Sequence, residues 1–337
     1  MRILPLIAAS LMLPVSALAQ DRSAILLDAT QSHILPRFAE LADTADALAE
    51  TAQQDCEPTS PALRAAYSAA FDGWISVSHL RFGPTEVDDR AFAMAFWPDT
   101  KGFTSKALSQ HIAAEDAAVE SVEVYAETSV AGRGFFALER MLFDPAFADQ
   151  GSAAYRCALI QVIAADIGVN AHAMAEDWQA YAPSLTQPGD NSRYRTQDEA
   201  LQELFKALST GLEFTAATRL GRPLGTFDRP RPKRAEARRS ERSLRHVELS
   251  LIALRDLAAR LSSDHPEVAA DLDAAFARAI DTAQSIDDPA LAGVADPAAR
   301  FRIEALQQSI TDIRTIASTE LGPTLGISAG FNSLDGD

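Results

Sequence analysis

The chain has 337 residues, with 47 Asp and Glu against 30 Lys and Arg, a formal net charge of −17 and an apolar fraction of 47%. Such a surface repels nucleic acid and anionic membranes and favours cations or basic partners, so nucleic-acid binding is excluded as an expectation. The length is generous for one core and comfortable for two, which makes two domains the prior.

Residues 1–19 carry one early cation, Arg2, an apolar run from Ile3 to Leu18, and small residues at Ala17 and Ala19 before Gln20. This pattern predicts a secretory signal peptide cut after Ala19. The run is short and wrongly flanked for a spanning helix, and no cysteine stands at the cut to take a lipid. A soluble exported protein without a transmembrane segment is expected, with the periplasm as its address and full secretion as the alternative. In an oxidising compartment Cys56 and Cys157 are expected to pair; the other reading is two unconnected thiols.

Residues 23–53 place Ile34, Leu35, Phe38, Leu41, Leu48 and Ala52 on one helical face, with Pro36 either bending this helix or marking its true start. Ser60-Pro61 has a capping hydroxyl followed by proline at the first helical position and opens a second helix ending near residues 81–84. His79 and Arg81 fall at its carboxyl end, where the helix dipole favours cations. Residues 92–97 break the period and are read as a loop with a short extended piece, in which Trp97 covers a cavity wall or plugs the core. His111 with Glu115, and His172 with Glu176, have i,i+4 spacing and share a helix face, as two of the ligands of a zinc or iron site would or as ordinary solvated pairs do. His33 is read as an idle histidine ahead of Pro36, and the His-Glu-x-x-His pattern of zinc proteases is absent from the chain.

Residues 132–144 crowd Phe135, Phe136, Leu138, Met141, Leu142 and Phe143 around one acid, Glu139. A helix so apolar runs through a core, and a buried carboxylate needs a partner, a proton or a metal. A sustained helix over residues 152–181 follows. Residues 183–191, with two prolines and Gly189, are the expected boundary between an N-terminal bundle (20–190) and a C-terminal bundle (191–337). Helices are predicted over 197–219, 236–261, 266–286 and 297–321, so the fold class is all-α: two bundles of about four helices each, packed with a cleft between them. Residues 219–245 hold ten Lys or Arg and three acids, as a solvated basic loop or as a segment that turns donors of Arg239, Ser240 and Ser243 toward Glu139 or an anionic ligand.

Gly134-Phe135-Phe136-Ala137-Leu138-Glu139 resembles the Gly-x-His-x-x-Glu motif of the imelysin family, the peptidase M75-like or iron-regulated protein A-like proteins, with Phe136 in place of the histidine. Arg81-Phe-Gly-Pro84, Phe96-Trp-Pro-Asp99, Arg219-Leu-Gly-Arg-Pro-Leu-Gly225, Arg239-Ser-Glu-Arg-Ser243 and the ending from Leu325 to Asp337 resemble family segments in family order, and Phe331 is expected to anchor that ending on the body. The resemblance implies an inter-bundle cleft bounded by Gly134, Phe136, Glu139, Arg81, Trp97, Arg239, Ser240 and Ser243, and a link to iron acquisition alongside envelope iron-uptake components. Iron or another divalent metal is the implied cofactor, with Glu139 as its one candidate ligand. A phenyl ring at position 136 removes the histidine half of a metal site, so a non-catalytic protein binding a metal, a metal complex or a partner is the leading expectation. A metal-dependent peptidase with His79, His111 or His172 as substitute ligand is the alternative. A structural or adhesive envelope module is the third.

Overall fold

The computed structural model describes residues 22–189 and 192–327, so the predicted leader with its cleavage point and the ending with Phe331 lie outside it. Helix α1 (Ser23–Asp28) passes through a widened π-helical stretch (Ala29–Ile34) into α2 (Leu35–Gln54), making the long first helix that the apolar period predicts. The widened turn falls just before Pro36, whose missing N–H removes one link of the regular ladder. Phe38, Leu41, Ala45, Leu48 and Ala52 form the buried stripe of α2. Helix α3 (Pro61–Val77) starts as Ser60-Pro61 foretells, with the Ser60 hydroxyl accepting from the Leu63 N–H at 3.3 Å.

The short helices α4 (Arg90–Met94), α5 (Phe103–Ala114) and α6 (Val122–Ala126) lead to α7 (Gly134–Phe143) and the 34-residue α8 (Ala153–Thr186). Then come α9 (Gln197–Glu213), which continues through a π-helical stretch (Phe214–Leu220) into α10 (Gly221–Leu224), and α11 (Ser243–Leu261), α12 (Pro266–Gln284), α13 (Pro297–Ile316) and α14 (Gly322–Thr324). Among the described residues there is no strand, only an isolated bridge between Thr226 and Arg229.

Helix α2 packs on both α3 and α8 with α7 on α8, while α11 packs on α12, α12 on α13, and α9 on both α11 and α13. Contacts of α3 with α11 and of α1 with α9 and α11 join these groups, and the apolar interior runs through both without a break. Helix α8 is long and apolar enough to cross a bilayer by length and composition, yet Leu159, Ile163, Ile167, Ala171, Met174 and Trp178 are fully buried in this core. Cys56 and Cys157 form a disulfide that ties the turn after α2 to α8.

Two local expectations are corrected. Residues 92–94 are helical as part of α4, and only the stretch after Met94 leaves the helix. Residues 236–242 do not open α11, because Ala237 (φ 43°) and Glu241 (φ 57°) take the left-handed conformation, which no α-helix accommodates.

Candidate functional site

The entry to α7 is built by two buried devices. Arg133 grips Asp166 of α8 with a two-pronged ion pair (Nε to Oδ2 2.9 Å, Nη2 to Oδ1 2.7 Å) and donates from Nη1 to the Ala126 carbonyl at 2.7 Å. Gly134 follows with φ 69°, and a Cβ there would stand 2.2 Å from the Ala93 carbonyl oxygen and 2.3 Å from that of Met94. Only glycine lets the backbone at the end of α4 pass this close. The first turn of α7 then stacks Phe135 on Phe71 (4.5 Å between centroids) and sets Phe136 edge-on to Phe71 and broadly parallel to Trp97 (6.3 Å).

One turn later comes Glu139, with only 2% of its surface exposed. Its Oε1 accepts three hydrogen bonds: the backbone N–H groups of Arg239 and Ser240 at 3.0 Å each, and the Ser240 hydroxyl at 2.9 Å. Burial pushes this carboxyl above its ordinary value, and the Ser240 and Arg239 donors offset only part of that. The partner of the motif acid is therefore the basic loop of its own chain. The same left-handed residues that delay α11 make that loop turn, so that consecutive N–H groups point down at α7.

Further contacts fix the loop. The Ser243 hydroxyl donates to the Glu236 carbonyl at 2.5 Å, closing the turn without touching Glu139. Arg239 and Arg140 share one carboxylate, Asp144, at 2.6 and 2.9 Å. Beneath the loop Glu236 binds Arg219 (2.7 Å) with His246 at 3.2 Å. Burial works against ionising Glu236, but Arg219 and then His246 outweigh it and hold the carboxyl down to about 2.

Trp97 and Phe136 form a wall between two hollows. On the Glu139 side is a polar cleft of about 370 Å³, faced by Arg140, Arg222, Lys233, Arg234 and Arg239. On the other side is a more apolar cavity of about 210 Å³ among Trp74, Phe82 and Phe214, with His79 and Arg219 in its lining. Arg81 borders this second cavity, where it pairs with Glu86 and lies over the Phe92 ring at 5.3 Å, rather than joining Glu139. Phe136, Glu139, Trp97 and Arg239 thus line one cleft, Ser240 fastens Glu139, Gly134 and Ser243 support the arrangement without lining it, and Arg81 stands apart.

The histidines nominated as substitute ligands are engaged elsewhere. His79 meets His33 (Nε2 to Nε2, 2.9 Å), whose Nδ1 lies 2.7 Å from the half-buried Asp256, a chain whose members are 46 and 223 positions apart. Nothing in the local sequence announces it. His111 pairs with Asp116 at 3.2 Å and His172 with Asp46 at 2.7 Å, while Glu115 accepts from the Ser152 hydroxyl at 2.9 Å. Among the described residues no three His, Cys, Asp or Glu side chains converge as metal ligands. Around Glu139 the donor set is one largely engaged carboxylate and a phenyl ring, which does not fit a three-ligand catalytic metal.

The sequence matches the family model for imelysin, peptidase M75, over residues 34–317. It is 25% identical over 316 residues to iron-regulated protein A of Synechococcus elongatus, covering 86% of this chain and 83% of that one. Among solved structures, an imelysin-like protein from Psychrobacter arcticum superposes with a TM-score of 0.77 at 21% identity, covering 92% of this chain and 97% of its own. A protein from Parabacteroides distasonis described as an iron-regulated protein A precursor superposes with a TM-score of 0.62 at 14% identity, covering 90% and 94%. At these identities the two superpositions establish the all-α fold.

Proposed function

The chain belongs to the imelysin family, and from that premise we propose that it is an exported recognition protein, linked to iron, that holds its ligand in the cleft between α7 and the loop over residues 219–242. Hydrolysis of peptides is not its task. The observation that carries this reading is the state of Glu139: its Oε1 is occupied by three donors of the loop, and the ring beside it is Phe136. An acid used in this way fastens a wall of the cleft, and with Phe136 where an imidazole would stand the motif offers fewer than the three protein ligands of an open catalytic metal site. A purely structural seam would be closed by apolar side chains, whereas five cations face this one.

The iron link is supported by the name of the Synechococcus relative. Export is supported by the leader pattern of residues 1–19 and by the description of the Parabacteroides neighbour as a precursor. On this reading the mature chain works in the periplasm beside components that take up iron. The test is calorimetric titration of the mature protein with ferrous, ferric and zinc ions and with their chelates, alongside digestion of an unstructured protein. Saturable binding of one of these without hydrolysis is expected. Hydrolysis abolished both by a chelator and by Glu139→Gln would replace recognition with catalysis.

A further inference from the structure

We infer that the cleft beside Glu139 is an anion site, and that its ligand is a small polycarboxylate, free or as the metal chelate it forms, gripped by Arg222, Lys233 and Arg234. The inference deepens the recognition reading above and rests on it.

Charge comes first. Five cationic side chains line the cleft against two carboxylates, Asp99 and Glu139, in a protein where acids outnumber bases by 47 to 30. Asp99 is met by backbone on both of its oxygens, and Glu139 on Oε1. Asp99 accepts from the N–H groups of Lys101 (3.2 Å), Phe103 (3.0 Å) and Thr104 (2.9 Å), where it caps α5, and Glu139 accepts from Arg239 and Ser240. Asp144 serves two guanidinium groups at once. Arg222, Lys233 and Arg234 have no ion pair with a carboxylate among the described residues, although the rest of the chain offers acids in excess. The Nε of Arg222 is buried without a hydrogen-bond partner, and its guanidinium stands over the Trp97 ring at 5.8 Å. Burial first, and the nearby Arg234 cation second, lower the pKa of Arg222. A bare cation entering here meets repulsion; an anion relieves it.

The donors that remain select the kind of anion. Compact phosphates favour cradles of backbone N–H groups, such as helix starts and turns. In this cleft the two such cradles, at the start of α5 and at residues 239–240, are taken by Asp99 and Glu139. What is left is two planar guanidinium forks and one ammonium, spread along residues 222–234, which suit several carboxylates separated by a short carbon frame. Phe96, Trp97 and Phe136 give that frame an apolar surface. A volume of about 370 Å³ accommodates a tricarboxylate and a coordinated ion.

The experiment follows tryptophan fluorescence and heat as the full mature chain is titrated with citrate, ferric citrate, inorganic phosphate, and ferrous and zinc chlorides. Saturable binding of citrate or ferric citrate is expected, weakening as sodium chloride is raised and at least tenfold weaker in the Arg222→Ala/Arg234→Ala variant. Both residues lack ion-pair partners, so the variant is expected to keep the parental melting curve, and Lys233→Glu gives an independent charge reversal. Equal affinity for citrate and ferric citrate identifies the free acid as ligand, and preference for ferric citrate identifies the chelate. Binding of bare metal ions without binding of either citrate form overturns the anion inference while leaving recognition intact. Phosphate binding more tightly than citrate overturns the carboxylate class. No binding of any probe removes both.

Discussion

Truncating Glu139 to alanine tests whether this acid is the fastening of the basic loop. Oε1 accepts from two backbone N–H groups and one hydroxyl. On truncation the Ser240 hydroxyl keeps a second acceptor, the Ala237 carbonyl at 3.1 Å, while the half-buried Arg239 and Ser240 N–H groups lose their protein partner. At about 1–3 kcal/mol per orphaned group the cost is roughly 2–6 kcal/mol. Relief from burying a carboxylate places the net value in the lower half of that range. Loss shows first as local opening, so amide hydrogen exchange at Arg239 and Ser240 is expected to accelerate roughly 30-fold or more, with a lower urea midpoint. Glu139→Gln keeps an acceptor oxygen and is expected to cost less. The two also differ in pH response. Because the folded-state pKa of Glu139 is raised, its contribution is full below the ordinary glutamate value and fades as pH rises through the folded value, so Glu139→Gln gains on the parent over that interval. Unchanged protection of the two amides in Glu139→Ala would show that the loop is held by something else.

Replacing Cys56 and Cys157 by serine opens a link spanning 101 positions, and chain entropy alone puts the loss near 4–5 kcal/mol; urea unfolding with and without reductant measures it. Gly134→Ala drives a Cβ into two backbone carbonyls at a positive φ, so a loss above about 3 kcal/mol or a failure to fold is expected, read by thermal melting. Burial lowers His33 and His246 from 6.5 to about 4, in each case against a neighbouring carboxylate. Their contribution is present above pH 6.5 and lost as pH falls toward 4, about 3 kcal/mol for each if they titrate independently. Urea midpoints taken across that window are expected to fall with acid, and His246→Gln is expected to flatten the curve.

The helices were legible because burial leaves a periodic trace, as in Phe38, Leu41, Ala45 and Leu48 on α2, and because Ser60-Pro61 announces its own cap. Glu139 among six large apolar residues could be read as buried, and the cluster of ten cations offered it donors. Less visible was how the donors would arrive. Residues 236–242 contain good helix formers, and only tertiary demands turn Ala237 and Glu241 into the left-handed region. The Asp256–His33–His79 chain assembles from segments far apart in sequence, and the Arg219–Glu236–His246 group closes across the irregular turn before α11, so helical periodicity carries no sign of either. The leader and the ending, including Phe331, fall outside the described residues.

The two motif letters that this chain keeps, the first and last of the Gly-x-x-x-x-Glu frame, turn out to be joinery. Gly134 clears a path for the carbonyls of Ala93 and Met94, and Glu139 pins the amides of residues 239 and 240. Neither task depends on what occupies the cleft. In this chain the two letters are thus a mortise and a pin, and what the motif presents to the cleft beside them is the benzyl group of Phe136.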